Sequence, residues 1–184
     1  MRVVGGSFRG RRLATPHSDA IRPTTDRARE ALFNILEHAY PGVIEGARVL
    51  DLFAGSGALG IEALSRGAVF CLFVEPAARA RALVRQNIES LGLAGRTRIF
   101  RRDATHLGPI GTMQPFNLVF ADPPYGKELG EKAIASAVAG HWLKEDALIV
   151  VEEAEATPFE PPAGIALHER RTYATTTLAI CGLA

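Results

Sequence analysis

Apolar and polar residues follow two different periods along the chain, and together these periods predict an α/β protein. Residues 28–39 place apolar side chains at helical spacing behind a cap at Thr24 or Thr25, and Pro41-Gly42 ends this helix. From Ala47 onward, short β-rich runs alternate with helical stretches. This alternation predicts strands of a mostly parallel sheet joined by crossover helices.

Individual elements can be predicted from these runs. Continuous apolar runs favour strands covered on both faces, and the five predicted parallel strands are 47–53, 68–75, 97–102, 116–121 and 147–153. The helices predicted between them are 58–65, 76–91 with Pro76 at its first position, and 128–139. Two further strands, 165–173 and 175–183, predict an antiparallel hairpin at one edge of the sheet. Residues 1–14 predict another hairpin, with its turn at Gly5-Gly6.

Length and composition indicate an ordinary enzyme-sized domain. With 184 residues, 47% of them hydrophobic, we expect one domain over residues 1–184 that includes a basic arm over residues 1–23. Cys71 and Cys181 lie in apolar runs and are predicted core thiols of a reducing compartment. No apolar run has membrane-spanning length and the start does not resemble a targeting peptide, so we expect a cytoplasmic protein. No metal-ligand spacing is present, and we expect no metal.

The net charge of +1 hides a basic first segment. Residues 1–30 carry seven arginines against three acidic residues, a local charge of +4. Because the planar guanidinium suits contacts with phosphates and bases, this segment is a candidate RNA- or DNA-binding arm. The candidate phosphate contacts are Arg9, Arg11, Arg12 and Arg22. A solvated basic face is the alternative interpretation.

A glycine-rich loop follows the first predicted strand. Gly55, Gly57 and Gly60 match the G-x-G-x-x-G pattern, and Glu75 closes the next strand, as in dinucleotide-binding folds. Asp51, just before the glycines, would repel a pyrophosphate and attract a cation. S-adenosylmethionine carries an ammonium and a sulfonium and no phosphate, so this pattern favours it over NAD. An Asp51 that only caps the loop is the alternative.

Acidic residues also end the third and fourth predicted strands. Asp103 follows the third strand, so that Asp51, Glu75 and Asp103 would meet the methionine end, the ribose and the adenine amine of the cofactor. For Asp103 a turn-forming role is the alternative. The fourth strand is followed by the sequence DPPY, Asp122 to Tyr125, which alone could be a rigid strand-to-helix turn.

The motifs DLFAGSG, the strand-ending Glu75, RDA and DPPY resemble, in order and spacing, those of class I S-adenosylmethionine-dependent methyltransferases. MRVVGGSFRGRRL and RPTTDRAREALFN further resemble the N-terminal signature of the bacterial RsmD-type 16S rRNA guanine-N2 methyltransferases. The resemblance covers essentially the whole chain. It implies an α/β, Rossmann-like class I methyltransferase fold: a mostly parallel seven-stranded sheet with helices on both faces and an N-terminal β-hairpin extension.

The resemblance also implies a cofactor, a substrate and site residues. The cofactor would be S-adenosylmethionine, and the substrate 16S rRNA in an assembled or assembling small ribosomal subunit, methylated by a monomeric enzyme. Asp122 and the Pro123 carbonyl would accept hydrogen bonds from the guanine amine, with Pro124 and Tyr125 completing the catalytic turn and Tyr125 stacking on a flipped-out base. The implied cofactor-binding residues are Asp51, Phe53, Ala54, Gly55, Gly57, Glu75, Asp103 and Ala104.

Three alternatives remain open at this point. DPPY does not separate guanine-N2 from adenine-N6, so an adenine-N6 methyltransferase acting on DNA or RNA is one alternative. Against a sequence-specific DNA enzyme, the chain has no room for a separate target-recognition domain. The other two are a small NAD-dependent oxidoreductase, which leaves DPPY unexplained, and a non-catalytic nucleic-acid-binding module.

Overall fold

Seven strands form one sheet in a computed structural model that describes residues 1–17 and 25–184. The strands are β1 (Arg48–Leu52), β2 (Phe70–Val74), β3 (Thr97–Phe100), β4 (Phe116–Ala121), β5 (Leu143–Ala154), β6 (Ile165–Tyr173) and β7 (Thr176–Leu183). The α-helices within the same residues are α1 (Asp26–Ala39), α2 (Ala58–Ser65), α3 (Ala78–Ser90) and α4 (Leu129–Ala139).

The strands lie in the order β3-β2-β1-β4-β5-β7-β6. Strands β1 to β5 run parallel, β7 pairs with β5 in the antiparallel direction, and β6 pairs with β7. The predicted Rossmann-like fold with a mostly parallel seven-stranded sheet is therefore confirmed, as is the antiparallel hairpin at one edge. The carboxyl ends of the five parallel strands all lie at one rim of the sheet, where ligands of such folds bind.

The alternating strand residues feed two hydrophobic cores, one on each face of the sheet. Val49 belongs to one core and its neighbour Leu50 to the other, as strand geometry requires. Helices α1, α2 and α3 pack on the first face and α4 on the second. Trp142 is fully buried on the α4 face.

Several predicted boundaries differ from the structure by one to four residues, and two of these differences have local reasons. Pro76 does not open α3, which begins at Ala78, because the Glu75 carboxylate accepts a hydrogen bond from the Ala77 N–H at 2.8 Å and holds Ala77 extended. Strand β5 begins at Leu143, four residues before the predicted start, although residues 144–146 are charged. Its first residues pair with Phe116 through an irregular register, which periodicity does not reveal.

Residues 1–14 of the predicted basic arm form a folded-back segment rather than a regular ladder, and the name arm refers below to these 14 residues. Arg2 and Arg12 share one antiparallel bridge, and the chain reverses through a 3-10 turn at Gly6–Phe8, beyond the predicted Gly5-Gly6 turn. Val3 and Leu13 are buried in the core of the α1–α3 face. The arm therefore packs on the sheet domain, and its single bridge does not confirm the predicted N-terminal β-hairpin.

The arm is attached through a buried carboxylate on α2. Glu62, fully buried, accepts hydrogen bonds from the backbone N–H groups of Val4 at 3.0 Å and Gly5 at 2.7 Å. The same carboxylate forms ion pairs with Arg29 and Arg66. Because a buried carboxylate is costly unless its charge and lone pairs are satisfied, the arm's backbone helps complete this network.

Within residues 1–17 and 25–184, no helix is long and apolar enough to cross a membrane. Arg22, one of the predicted phosphate contacts, lies outside the residues that the structure describes.

Candidate active site

Each of the five parallel strands has acidic residues at or just beyond its carboxyl end. We call these residues the acid rim: Asp51, Glu75, Asp103, Asp122, Glu152 and Glu153. Strand β1 pairs with both β2 and β4, so Asp51 lies between Glu75 and Asp122. The charges of Asp122 and Glu75 both raise the pKa of Asp51. The structure thus brings three of the predicted site carboxylates together.

Asp51 is buried and bonded to the helix that follows the glycine loop. Only 1% of its surface is exposed, and it accepts a hydrogen bond from the Gly60 N–H at 3.1 Å. Burial, with the neighbouring carboxylates, raises the pKa of Asp51 well above its ordinary value. The capping role considered as an alternative is present, yet it does not remove the accumulated negative charge. A bound cation would lower this charge, whereas a diphosphate would increase the repulsion.

The three glycines of the loop have different structural roles. Gly55 and Gly57 have positive φ angles of 59° and 82°, a region that residues with a Cβ rarely adopt. At Gly60, a Cβ would lie 2.5 Å from the Cys71 Sγ, so only glycine allows α2 to approach β2 this closely. Phe53 also has a positive φ, 60°, which is strained for a bulky residue.

Glu75 connects the end of β2 to the glycine loop. Its two carboxylate oxygens accept hydrogen bonds from Gly55 N–H at 3.0 Å and Ala77 N–H at 2.8 Å. An ionised carboxylate has about four acceptor positions, so each oxygen retains capacity for a ligand hydroxyl. The Ala54 N–H donates to the Val74 carbonyl at 3.1 Å, which also fixes the loop against β2.

Asp103 lies at the same rim in a more exposed setting. Its carboxylate accepts hydrogen bonds from the backbone N–H and the hydroxyl of Thr105, at 2.8 and 2.7 Å, and these bonds lower its pKa. The turn-forming role considered as an alternative is therefore present. Ala104 is buried in the α4 face, and His106 is exposed.

The DPPY turn follows β4 directly and is held by two glutamates that end β5. Asp122 is half-buried, Pro123 buried, and Pro124 and Tyr125 exposed. The Tyr125 hydroxyl donates to Glu152 Oε1 at 2.6 Å, and the Gly126 N–H donates to Glu153 Oε1 at 3.0 Å. Burial and the bond to Glu152 raise the pKa of the Tyr125 phenol, so it remains a neutral donor.

Glu152 and Glu153 were not among the residues predicted from the sequence. Their signal was present, because the run ALIVVEE ends in two acids on the strand next to DPPY. Only the pairing of β4 with β5 shows that they hold the turn.

Asn87 is a second residue that the sequence did not single out. Its buried side chain accepts from Ala14 N–H at 2.7 Å and donates to the carbonyls of Ala14 at 3.1 Å and Ser56 at 2.9 Å. One amide on α3 therefore connects the end of the arm to the glycine loop.

Arg9, at the tip of the arm, lies away from the acid rim. The tip of the arm packs on Ser65, which receives a hydrogen bond from the Phe8 N–H at 2.9 Å. Ser65 is the last of the eight residues of α2, so the tip lies about 12 Å along this helix from the glycine loop. Arg9, Arg11 and Arg12 are exposed, and Arg11 donates to the Ser90 carbonyl at 2.9 Å.

Among the residues that the structure describes, no group of three or more histidine, cysteine or acidic side chains could hold a metal ion.

Comparison with known proteins gives consistent relatives over nearly the whole chain. The family model described as "Conserved hypothetical protein 95" matches residues 1–182. The chain is 43% identical to ribosomal RNA small subunit methyltransferase D of Escherichia coli (strain K12), over 93% of this chain and 84% of the relative. It is 37% identical to the putative rRNA methyltransferase YlbH of Bacillus subtilis (strain 168), over 98% and 97%. The solved structure of the putative methyltransferase yhhF from Escherichia coli aligns with a TM-score of 0.83 at 36% identity, covering 100% of this chain and 97% of that one.

Proposed function

The chain belongs to the family described as Conserved hypothetical protein 95, and from this premise we propose that it is an RsmD-type methyltransferase that methylates the exocyclic N2 amine of a guanine in 16S rRNA. The observation that carries the proposal is the position of DPPY beside the glycine loop. Strand β1 ends in Asp51 and the loop, and its neighbour β4 ends in Asp122. A methyl donor and an amine acceptor bound at these two strand ends would be adjacent.

The cofactor proposed for the glycine loop is S-adenosylmethionine, which supplies a methyl group on a positively charged sulfur. The side chains fit such a ligand because the buried Asp51, next to two further carboxylates, favours a cation. In the proposal, Asp51 binds the amino end of the methionine portion, Glu75 the ribose hydroxyls and Asp103 the adenine amine. Phe53, Ala54, Gly55, Gly57 and Ala104 complete the proposed cofactor site.

The DPPY turn would orient the guanine amine. An exocyclic amine is a weak nucleophile because its lone pair is delocalised into the ring. In the proposal, the Asp122 carboxylate and the Pro123 carbonyl each accept a hydrogen bond from one N–H group of the amine. The nitrogen lone pair then points out of the ring plane toward the methyl group. The proline pair has restricted φ angles, so the turn keeps this geometry. Glu152 and Glu153 keep the turn against β5, with the Tyr125 ring available to stack on a flipped-out base.

The protein's form and substrate context are part of the same proposal. We propose that residues 1–184 act as one domain, as a monomer, on an assembled or assembling small ribosomal subunit. Arg9, Arg11 and Arg12 would contact phosphates of the folded RNA, whose shape positions the target base.

Methyl transfer to small subunits tests this function directly. Tritiated S-adenosylmethionine is incubated with small ribosomal subunits that lack their base methylations, and the labelled nucleoside is identified after digestion. We expect label in N2-methylguanosine. Label in N6-methyladenosine would show that the enzyme methylates adenine and not guanine. Absence of label in both naked and assembled 16S rRNA would refute the proposal.

A further inference from the structure

A second arginine-rich segment lies outside the arm. Residues 76–102 contain seven arginines and a single acidic residue, Glu89, in a chain whose net charge is only +1. The arginines are Arg79, Arg81, Arg85, Arg96, Arg98, Arg101 and Arg102. This segment was not among the predicted RNA contacts, and it comprises all of α3 and the edge strand β3.

Helix α3 lies between the arm and the β3 edge of the sheet. On one side its Asn87 binds Ala14, and its Ser90 carbonyl accepts from Arg11. On the other side it packs on β3, whose outer edge has no neighbouring strand in the described sheet. Exposed arginines of the arm, of α3 and of the residues next to β3 therefore share one side of the molecule. We call the exposed arginines on the α3 side the arginine face: Arg9, Arg11, Arg12, Arg79, Arg85, Arg96 and Arg101. Arg98 is also exposed, but it alternates with Ile99 along β3 and lies on the α4 face of the sheet.

Within residues 1–17 and 25–184, no member of the arginine face forms an ion pair with a carboxylate. Four arginines elsewhere in the fold, Arg29, Arg66, Arg170 and Arg171, are paired with acidic side chains. The seven exposed guanidiniums of this face, without carboxylate partners, repel one another. A chain of phosphates would neutralise them and release its counterions.

We propose that the sugar–phosphate backbone of the RNA crosses α3, where Arg79 and Arg85 contact phosphates between the arm and the β3 edge. Arg79 lies in the first turn of α3, which begins three residues after Glu75, so this path leads to the acid rim. The proposal rests on the proposed rRNA methylation and adds α3 to the RNA-binding surface. An acidic protein partner is the competing occupant, and the test separates the two.

The double substitution Arg79→Gln and Arg85→Gln tests the proposal, with KM for small subunits and binding of protein-free 16S rRNA measured at several salt concentrations. At about 50 mM salt, we expect KM to rise roughly tenfold and the logarithmic salt slope of RNA binding to fall by about 2. The kcat should not change, because phosphate contacts bind ground state and transition state alike. The variant with lysine at both positions should retain most of the affinity, since the charge remains.

The matched control is the pair Arg170→Gln and Arg171→Gln, on the opposite edge strand β6, which should leave KM and the salt slope unchanged. An unchanged RNA salt slope in the α3 variant would overturn the proposal. So would a loss of subunit binding with normal binding of protein-free RNA, which would assign the face to a protein partner. If the wild-type protein transfers no methyl group, the proposed function fails, and RNA binding by the same variants still decides the role of α3.

Discussion

The acid rim and the arginine face carry opposite charges, and the two regions differ in the hydrogen bonds and ion pairs that their charged groups form. Carboxylates of the rim accept hydrogen bonds from backbone N–H groups, as Asp51 does from Gly60 and Glu75 from Gly55. The described arginines of the face are exposed and have no carboxylate partner.

This difference indicates two kinds of ligand. Charges fixed by the backbone suit one small molecule that must be oriented to within a fraction of an ångström. Exposed charges without carboxylate partners suit a polyanion that is attracted by its overall charge. Substitutions in the rim should therefore change kcat or cofactor affinity, and substitutions in the face should change KM and its salt dependence.

The largest effect is expected for Asp122→Ala. Loss of the acceptor that orients the amine should lower kcat by about 100- to 1,000-fold, as for other groups that act on the transition state. The measurement is single-turnover methyl transfer from labelled cofactor. Calorimetric affinity for S-adenosylhomocysteine should stay close to wild type, and its loss, or an unchanged kcat, would contradict the role given to Asp122.

The next largest effect is expected at Tyr125, where two substitutions distinguish the role of the ring from that of the hydroxyl. Tyr125→Ala removes the stacking surface and should lower kcat/KM with RNA by a factor that corresponds to about 1–3 kcal/mol. Tyr125→Phe keeps the ring and loses only the bond to Glu152, so its loss should be smaller, about 1 kcal/mol. Equal losses in the two variants would show that the hydrogen bond, and not the ring, is what matters.

A pH titration of cofactor affinity examines Asp51. Burial raises the pKa of this carboxyl above the ordinary 3.8, so in the free protein it ionises only as the pH rises beyond that value. A cationic ligand binds the ionised Asp51 more tightly than the neutral one. The affinity for S-adenosylmethionine should therefore increase as the pH rises from 3.8 through the raised pKa of Asp51, and then level off. Asp51→Asn should bind about tenfold more weakly at the plateau and lose this dependence. The same pH profile in both proteins would exclude Asp51 as the titrating group.

The smallest effect is expected at the arm. Arg9→Gln with Arg12→Gln should raise KM for small subunits about threefold and reduce the salt slope by about 1 per lost phosphate contact. Point substitutions are preferable to deletion of the arm, because Val3 and Leu13 are buried in the core and their loss would destabilise the fold. If kcat fell instead of KM rising, the arm would affect the acid rim rather than bind RNA.

Much of the fold could be predicted because its patterns are local. Strand β4, strand β6 and helix α2 have the bounds that periodicity predicts. The strand-ending acids could also be placed at one rim, since parallel strands end on the same side. The predicted start of α3 and the predicted length of β5 were wrong. A side-chain hydrogen bond at Glu75 and an irregular strand pairing at Phe116 outweighed the local secondary-structure preferences of these residues.

The sequence by itself determined the α/β order of elements, the glycine loop, and which residues follow each parallel strand, because these depend on neighbours along the chain. Only the tertiary structure decided that Glu152 and Glu153 hold the DPPY turn and that Asn87 connects the arm to Ser56. It also decided that Arg11 of the arm bonds the Ser90 carbonyl at the end of α3, 79 residues away. These contacts join residues far apart in the sequence. They depend on which strands pair and which helices pack side by side, and local sequence patterns do not specify this.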